Sequence, residues 1–129
     1  NESFDVLVNV ESSHCYVHMD RFVAHAYRIL RPGGHFLVAD FRRASQLDEL
    51  RAELQKPGFL LVEEENLNEG VLLALDADDA RKREFIEEKV DERRKPMFEM
   101  FAAVIDSPMY KAFKSDESTY MRYVLKKPQ

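Results

Sequence analysis

The sequence has one cysteine, no tryptophan and only four glycines among its 129 residues. The single Cys15 excludes an internal disulfide framework and is typical of a reducing compartment, so we expect a cytoplasmic protein. No apolar run approaches the ~20 residues that span a bilayer. The first residues also have neither the charged nor the apolar region of a signal peptide, and we therefore predict no membrane span.

Basic charge is also scarce, since 24 Asp and Glu outnumber 19 Lys and Arg and leave a net charge of -5. Domains that neutralise phosphates are usually basic, so we expect no nucleic-acid partner. His14 and His18 have the i, i+4 spacing of a metal pair, but their segment has the pattern of a loop and no third ligand is evident. We predict no metal site.

What is present is an alternation of short apolar runs with amphipathic segments. The runs at residues 4–10, 35–41 and 59–62 predict strands, and the first has the pattern of an interior strand that is covered on both faces. Helical spacing from Asp20 is ended at residues 32–34, and a second helix from Ser45 is ended at residues 57–58. This order predicts a βαβαβ unit over residues 1–69.

The remainder of the chain predicts helices and one last strand. Residues 76–95 are charge-dense and predict a solvated helix, and Pro96 begins an apolar helix that Pro108 ends. Residues 120–125 predict a strand. We expect a single domain in which a helical insertion, residues 70–118, separates the βαβαβ unit from a last strand at residues 119–129.

Polar side chains follow the first two predicted strands. Glu11, Ser12, Ser13 and His14 come after the first strand, and Asp40 ends the second. Parallel strands bring their carboxyl ends to one edge, where α/β proteins bind ligands. His14 and Asp40 are therefore candidates for a general base and its orienting carboxylate. Two alternatives stay open: a His14 that only bonds to loop backbone, and an Asp40 that caps the following helix.

Nucleophilic catalysis by a neighbouring side chain is less favoured. Cys15 follows His14 directly, and adjacent side chains on an extended segment point apart, so we expect a small buried thiol. Ser12 and Ser13 lack the G-x-S-x-G elbow of α/β-hydrolases.

Three segments carry a resemblance to a known family. The order FDVLVNVESSHCY, a helix and then RILRPGGHFLVADF resembles the second half of the class I S-adenosylmethionine-dependent methyltransferases, especially the small-molecule branch. In that family an Arg-x-Leu-Arg-Pro-Gly-Gly turn, here residues 28–34, connects the helix after the fourth strand to the fifth strand. The closing YMRYVLKKP resembles the final strand, which inserts antiparallel between the fifth and sixth.

The resemblance implies an α/β fold that is the C-terminal part of a Rossmann-like sheet, with parallel strands, a final antiparallel strand and flanking helices. Family members bind S-adenosylmethionine on a glycine-rich loop after their first strand. The four glycines here, at positions 33, 34, 58 and 70, cannot form a G-x-G-x-G motif. We therefore expect a C-terminal fragment that is inactive alone and uses S-adenosylmethionine only in the full-length enzyme.

The resemblance also implies roles for particular residues. Asn9, Val10 and Glu11 match the cofactor-binding end of the fourth strand, and His14 with Asp40 match the general base and its partner. The predicted substrate-binding residues are Ser12, Ser13, Tyr16, Phe41, Met97 and Phe101. The acceptor would be small and apolar, such as a lipid, polyketide or quinone, with oxygen, nitrogen and carbon all open as the methylated atom.

Two other hypotheses accompany this one. The chain could be a non-catalytic interaction module, or half of a dehydrogenase, which is weaker because RPGG before a strand that ends in aspartate has no role in that fingerprint. An unpaired edge on the first strand predicts self-association through residues 4–8, pairing two copies across a two-fold axis.

Overall fold

A computed structural model describes residues 2–129 of the chain. The strands are β1 (Phe4–Val10), β2 (Leu30–Arg43), β3 (Leu60–Asn66) and β4 (Ser118–Lys126); the helices are α1 (Met19–Ile29), α2 (Leu47–Gln55), α3 (Asn68–Lys89), α4 (Lys95–Ala102) and α5 (Pro108–Lys114). Short 3-10 turns lie at Ser13–Cys15 and Ala44–Gln46. The chain divides into two compact units, one formed by the chain through Asn66 with Tyr120–Gln129, the other by Leu67–Thr119. That the whole is one domain stays a prediction.

The four strands form one sheet in the order β1-β2-β4-β3. β1 and β2 are parallel, whereas β3 and β4 are antiparallel. Near the start of β2, the backbone N–H of Gly33 donates to the carbonyl of Lys127 at 2.8 Å, and the N–H of Lys127 donates to the carbonyl of Gly34 at 2.9 Å. The chain directly after β4 therefore pairs with the beginning of β2. The expected α/β sheet, with a last antiparallel strand inserted between its neighbours, is confirmed.

The predicted turn before the second strand is wrong, because β2 already begins at Leu30 and includes residues 31–34. The register with β1 slips there, since Phe4 pairs with Leu30 and Val6 already pairs with His35. A Cβ on Gly34 would lie 2.9 Å from the backbone oxygen of Asp5. The glycine lets the two backbones approach closely, which a side chain would prevent.

The core of the first unit lies on one face of the sheet. Side chains of β2 and β4 alternate between buried and partly exposed, and α1 and α2 cover the buried side. The cluster includes Val23, Ala26, Leu30, Phe36, Val38, Leu50, Leu54, Tyr123 and Leu125. The expectation that the first strand is covered on both faces is wrong for the described residues, since β1 is an edge strand and Val8 is 65% exposed.

The second unit contains α3, α4 and α5. α3 begins at Asn68, eight residues earlier than the charge-dense stretch predicted. Pro96 lies in the first turn of α4, as expected, but Pro108 begins α5 instead of ending the helix before it. Proline has no N–H to lose at a first helical position, and the Ser107 hydroxyl caps this helix by accepting from the backbone N–H of Tyr110 at 3.2 Å. Across residues 2–129, no helix is long and apolar enough to cross a membrane.

Candidate active site at the strand ends

The polar residues that follow β1 lie beside Asp40 because β1 and β2 are parallel. The expectation that Asp40 ends the second strand is wrong, since β2 continues to Arg43 and Asp40 lies inside it, near its C-terminal end. β1 ends at Val10, and the chain turns through the 3-10 segment Ser13–Cys15 beside the end of β2. The backbone N–H of Glu11 donates to the carbonyl of Ala39 at 2.7 Å, which extends the pairing of β1 and β2 one residue beyond the carboxyl end of β1. Asp40 follows and is 1% exposed.

His14 and Asp40 are in direct contact. The Nδ1 atom of His14 lies 2.8 Å from Oδ1 of Asp40, and the backbone N–H of His14 donates to Oδ2 at 2.9 Å. The Ser13 hydroxyl donates to the same Oδ2 at 2.5 Å. Asp40 therefore organises the turn after β1. The capping alternative would require bonds from Asp40 to the helix that follows it, and none of these bonds goes there. The catalytic roles of Asp40 and His14 stay predictions.

The hydrogen bonds around Asp40 keep its carboxyl group ionised. Burial by itself raises the pKa of this carboxyl, but the bonds from Ser13, the His14 side chain and the backbone of Phe41 and His14 outweigh burial and leave the pKa below its ordinary value. An ionised carboxylate can only accept, so His14 donates through Nδ1–H. In the neutral form of the ring, Nε2 then carries the lone pair that can take a proton.

Arg42 completes this cluster, and sequence reasoning missed it. Nη2 of Arg42 donates to the Ser13 hydroxyl at 3.0 Å, Nη1 donates to the Phe41 carbonyl at 2.8 Å, and Nη1 lies 3.3 Å from Oδ2 of Asp40. The only sequence signal was an arginine pair directly after the strand that ends in Asp40. A pair of arginines is common on solvated surfaces, so the pattern did not distinguish Arg42 from Arg43.

Three predicted site residues form a second polar group. The Asn9 amide donates to the Ser12 and Tyr16 hydroxyls at 3.0 Å each, and these hydroxyls lie 2.9 Å apart. The Oδ1 atom of Asn9 is buried without a hydrogen-bond partner among the described residues. An unsatisfied buried acceptor costs free energy unless a ligand or solvent meets it, which makes Asn9 a credible binding residue.

Aromatic rings line the same edge of the sheet. The rings of Phe41 and His14 lie 4.4 Å apart between centroids, and Tyr120 of β4 follows at 6.3 Å from Phe41. Burial raises the pKa of the Tyr120 hydroxyl, and the negative charges of Glu11 and Asp40 raise it further. Sequence reasoning did not single out Tyr120, whose alternating strand pattern indicated only a sheet position.

Glu11 has an unusual backbone. Its φ of 53° lies in the left-handed region, where a side chain other than that of glycine, asparagine or aspartate is strained. Such strain is often retained at functional sites. Glu11 and its neighbour Val10 are both exposed, and Val10 is 57% exposed. Their roles in cofactor binding stay predictions.

A cleft of 260 Å³ opens beside His14 between the turn after β1 and the helices α1 and α2. One cation, Arg42, lines it. Three carboxylates also line it, Asp20, Glu49 and Glu53. The cleft is polar and is large enough for a small functional group of a ligand rather than a whole lipid.

The remaining predicted residues lie elsewhere or behave differently. Met97 and Phe101 belong to α4 in the second unit, where they are 51% and 83% exposed, and their substrate-binding role stays a prediction. The prediction of a buried thiol is wrong, since Cys15 is exposed. The 3-10 turn carries it outward while Ser13 turns inward. Within residues 2–129, no three His, Cys, Asp or Glu side chains are grouped to hold a metal ion.

A mixed sheet with a parallel strand pair, helices packed on it and polar side chains near the ends of the parallel strands is a Rossmann-like α/β architecture. The family model described as "Methyltransferase domain" matches residues 1–38. Over 102 residues the chain is 35% identical to the phthiotriol/phenolphthiotriol dimycocerosates methyltransferase of Mycobacterium leprae, covering 79% of this chain and 36% of that protein. The chain is therefore similar to methyltransferases, over residues 1–38 in the family model and over 102 residues in the M. leprae protein.

Two further comparisons agree. A fatty-acid O-methyltransferase of Mycolicibacterium smegmatis is 35% identical over 68 residues, which cover 53% of this chain and 25% of that protein. The solved structure of phosphoethanolamine N-methyltransferase 2 from Haemonchus contortus, in complex with phosphomonomethylethanolamine and S-adenosylhomocysteine, superposes with a TM-score of 0.78. It is 19% identical and covers 99% of this chain and 34% of that one, which shows a shared fold. The chain spans about a third of the length of the M. leprae relative.

Proposed function

We propose that this chain is the C-terminal part of a methyltransferase that transfers a methyl group from S-adenosylmethionine to a small, apolar, lipid-like acceptor. The observation that carries the proposal is the His14–Asp40 pair at the ends of two parallel strands. A neutral imidazole held by an ionised carboxylate is a suitable general base for an acceptor that must lose a proton.

The residues at the end of β1 suit the cofactor. Asn9 has a buried amide oxygen without a partner among the described residues, and Glu11 presents an exposed carboxylate on a strained backbone. These are acceptors for the ammonium group of a methionine moiety. When bound, S-adenosylmethionine supplies a methyl group that its sulfonium already activates. Transfer of that methyl group therefore depends on alignment of the nucleophile.

His14 would act on the acceptor. During methyl transfer the acceptor would lose its proton to the Nε2 atom of His14. Asp40 then stabilises the imidazolium through Nδ1–H at 2.8 Å. The aromatic rings of Phe41 and Tyr120 beside His14 would exclude water from this side.

The lipid-like acceptor is supported by the relatives, whose printed names specify phthiotriol dimycocerosates and a fatty acid. The exposed Met97 and Phe101 of α4 are consistent with contact to such a molecule.

Calorimetric titration tests the proposal directly. S-adenosylmethionine is titrated into this chain and, in parallel, into the product of the longest reading frame that contains it. We expect binding to the longer product and weak or no binding to this chain, because the sequence contains no G-x-G-x-G motif. Absence of binding to both proteins would contradict the proposal and favour a non-catalytic interaction module.

We also propose that this chain self-associates through β1. The strand pairs only with β2 among the described residues, so its other edge offers unpaired backbone groups. Its outward side chains are apolar, and Phe4, Val6 and Val8 are 50%, 50% and 65% exposed. A second copy that pairs β1 across a two-fold axis would satisfy both the backbone and the apolar surface.

Val8→Lys is expected to weaken this association at least about tenfold, because the two-fold axis brings the introduced charges of both copies together. Sedimentation velocity over a range of concentrations measures the dissociation constant. Val17→Lys is the control, since Val17 is 89% exposed and lies outside β1. A wild-type chain that stays monomeric at high concentration, or equal effects of the two variants, would contradict the proposal.

A further inference from the structure

We propose that Arg42 keeps the His14 imidazole neutral, and therefore able to act as a base, by balancing the negative charges that surround it. This inference rests on the proposed function of His14 and adds a residue through which that function is controlled. Arg42 is then a positioning and charge-balancing residue, not a catalytic one, since it acts through Ser13 and Asp40.

Negative charge predominates around His14. Asp40 contacts the ring from β2 at 2.8 Å. Three more carboxylates share the cleft with the ring, Asp20 from α1 and Glu49 and Glu53 from α2. Arg42 is the one cation among the residues that line this cleft. Four carboxylates with no cation would favour the imidazolium form, which has no lone pair to accept a proton.

Arg42 is held in place beside Asp40. Its side chain is 14% exposed and makes three contacts, with the Ser13 hydroxyl, the Phe41 carbonyl and Oδ2 of Asp40. A guanidinium keeps its charge at every accessible pH and cannot accept a hydrogen bond. The cation is therefore permanently fixed on the far oxygen of the carboxylate that His14 contacts.

Arg42 also sets the direction of the Ser13 hydrogen bonds. Because Arg42 can only donate, Ser13 accepts from it at 3.0 Å and directs its own proton to Oδ2 of Asp40 at 2.5 Å. The backbone N–H of His14 also donates to Oδ2, at 2.9 Å. Oδ2 is thus occupied by donors, and Oδ1 is directed at the His14 ring. Arg42 both orients the carboxylate and offsets its charge.

The test is an NMR titration of the His14 ring in this chain at about 0.15 M salt, where distant surface charges are screened. Arg42→Met is expected to move the midpoint of the His14 titration upward by about 0.5 to 1 pH unit. Arg42→Lys keeps the charge and is expected to restore most of the shift. Arg43→Met, which removes the neighbouring exposed cation, is the matched control and should move the midpoint far less.

A second variant keeps the test decisive if Arg42→Met does not fold. Glu49→Gln combined with Glu53→Gln removes two carboxylates of the cleft, one exposed and one partly exposed, and is expected to move the midpoint downward. An unchanged midpoint in Arg42→Met, or in this double variant, would overturn the inference. A shift as large in Arg43→Met as in Arg42→Met would overturn it as well.

The same variants separate this inference from the proposed function. The NMR titration involves no methyl transfer, so the charge balance can be established even if the longer product transfers no methyl group. In an active longer product, Arg42→Met is expected to move the acidic limb of the kcat/KM profile to higher pH by the same amount. A changed rate without that displacement would indicate a structural role only.

Discussion

Replacing His14 with asparagine is expected to lower kcat for methyl transfer by about 10² to 10⁴, the range that general-base catalysis contributes. The variant is made in the product of the longest reading frame that contains this chain. The asparagine amide can take the place of Nδ1 in the bond to Asp40, which is 2.8 Å long in the structure. It offers nothing in place of Nε2, so the base is removed while the local structure is kept.

The matched control is His18→Asn, which changes an exposed histidine four residues further along the chain. It should retain activity near that of the wild type, and both variants should bind S-adenosylmethionine normally. Activity is measured as transfer of labelled methyl to a lipid acceptor, with the free energy of unfolding determined in parallel. If His14→Asn keeps more than about a tenth of the wild-type kcat, His14 is not the base.

The second large effect is expected for Asp40→Asn, which should lower the free energy of unfolding of this chain by about 3 kcal/mol at pH 7. The carboxylate is 1% exposed and accepts from Ser13, His14 and the backbone of Phe41. An asparagine would direct an N–H toward some of these donors and leave the Arg42 charge uncompensated. Urea unfolding followed by circular dichroism gives the difference.

Asp5→Asn is the control for that substitution. Asp5 also pairs with an arginine, since Arg31 donates to it at 2.8 Å, but the Asp5 side chain is 76% exposed. Ion pairs in solvent contribute little to stability, so the control should leave the free energy of unfolding almost unchanged. Similar losses in the two variants would show that burial of Asp40 does not matter.

The pH dependence of the Asp40 effect has a defined sign. The pKa of this carboxyl is lower in the folded state than its ordinary value, so the folded chain binds fewer protons there than the unfolded chain. Its contribution to stability is present above about pH 4, the ordinary value for aspartate, and is lost as the pH falls through the folded value. The difference between wild type and Asp40→Asn should therefore narrow below about pH 4. A difference that stays constant down to acid unfolding would contradict this account.

Much of the architecture could be predicted because it depends on local patterns. The apolar runs and helical spacing located β1, α1, α2 and β3 to within a few residues. The insertion of β4 between β2 and β3 came from the resemblance of YMRYVLKKP to a known last strand. Nothing in the periodicity of one strand states which neighbours it pairs with, so pattern alone would have left that order open.

The errors share a physical cause, which is that hydrogen bonds and strand neighbours decide the outcome where the residue pattern allows more than one. Pro108 has the same local signature whether it ends one helix or begins another, and the Ser107 cap decides it. β1 has the composition of a covered strand, yet it lies at the edge of the sheet among the described residues. Arg42 and Arg43 are the same residue type in adjacent positions, and contacts with Ser13, Asp40 and the Phe41 carbonyl distinguish Arg42.

The sequence by itself determined the class of the sheet, the placement of polar residues at two strand ends and the candidacy of His14 and Asp40, because each depends on residue type and short-range order. The tertiary structure alone decided that these two side chains touch, that Asp40 is buried and held by several donors, and that Arg42 joins them. Those facts depend on residues 26 to 29 positions apart meeting at one edge of the sheet, which is set by the parallel register of β1 and β2.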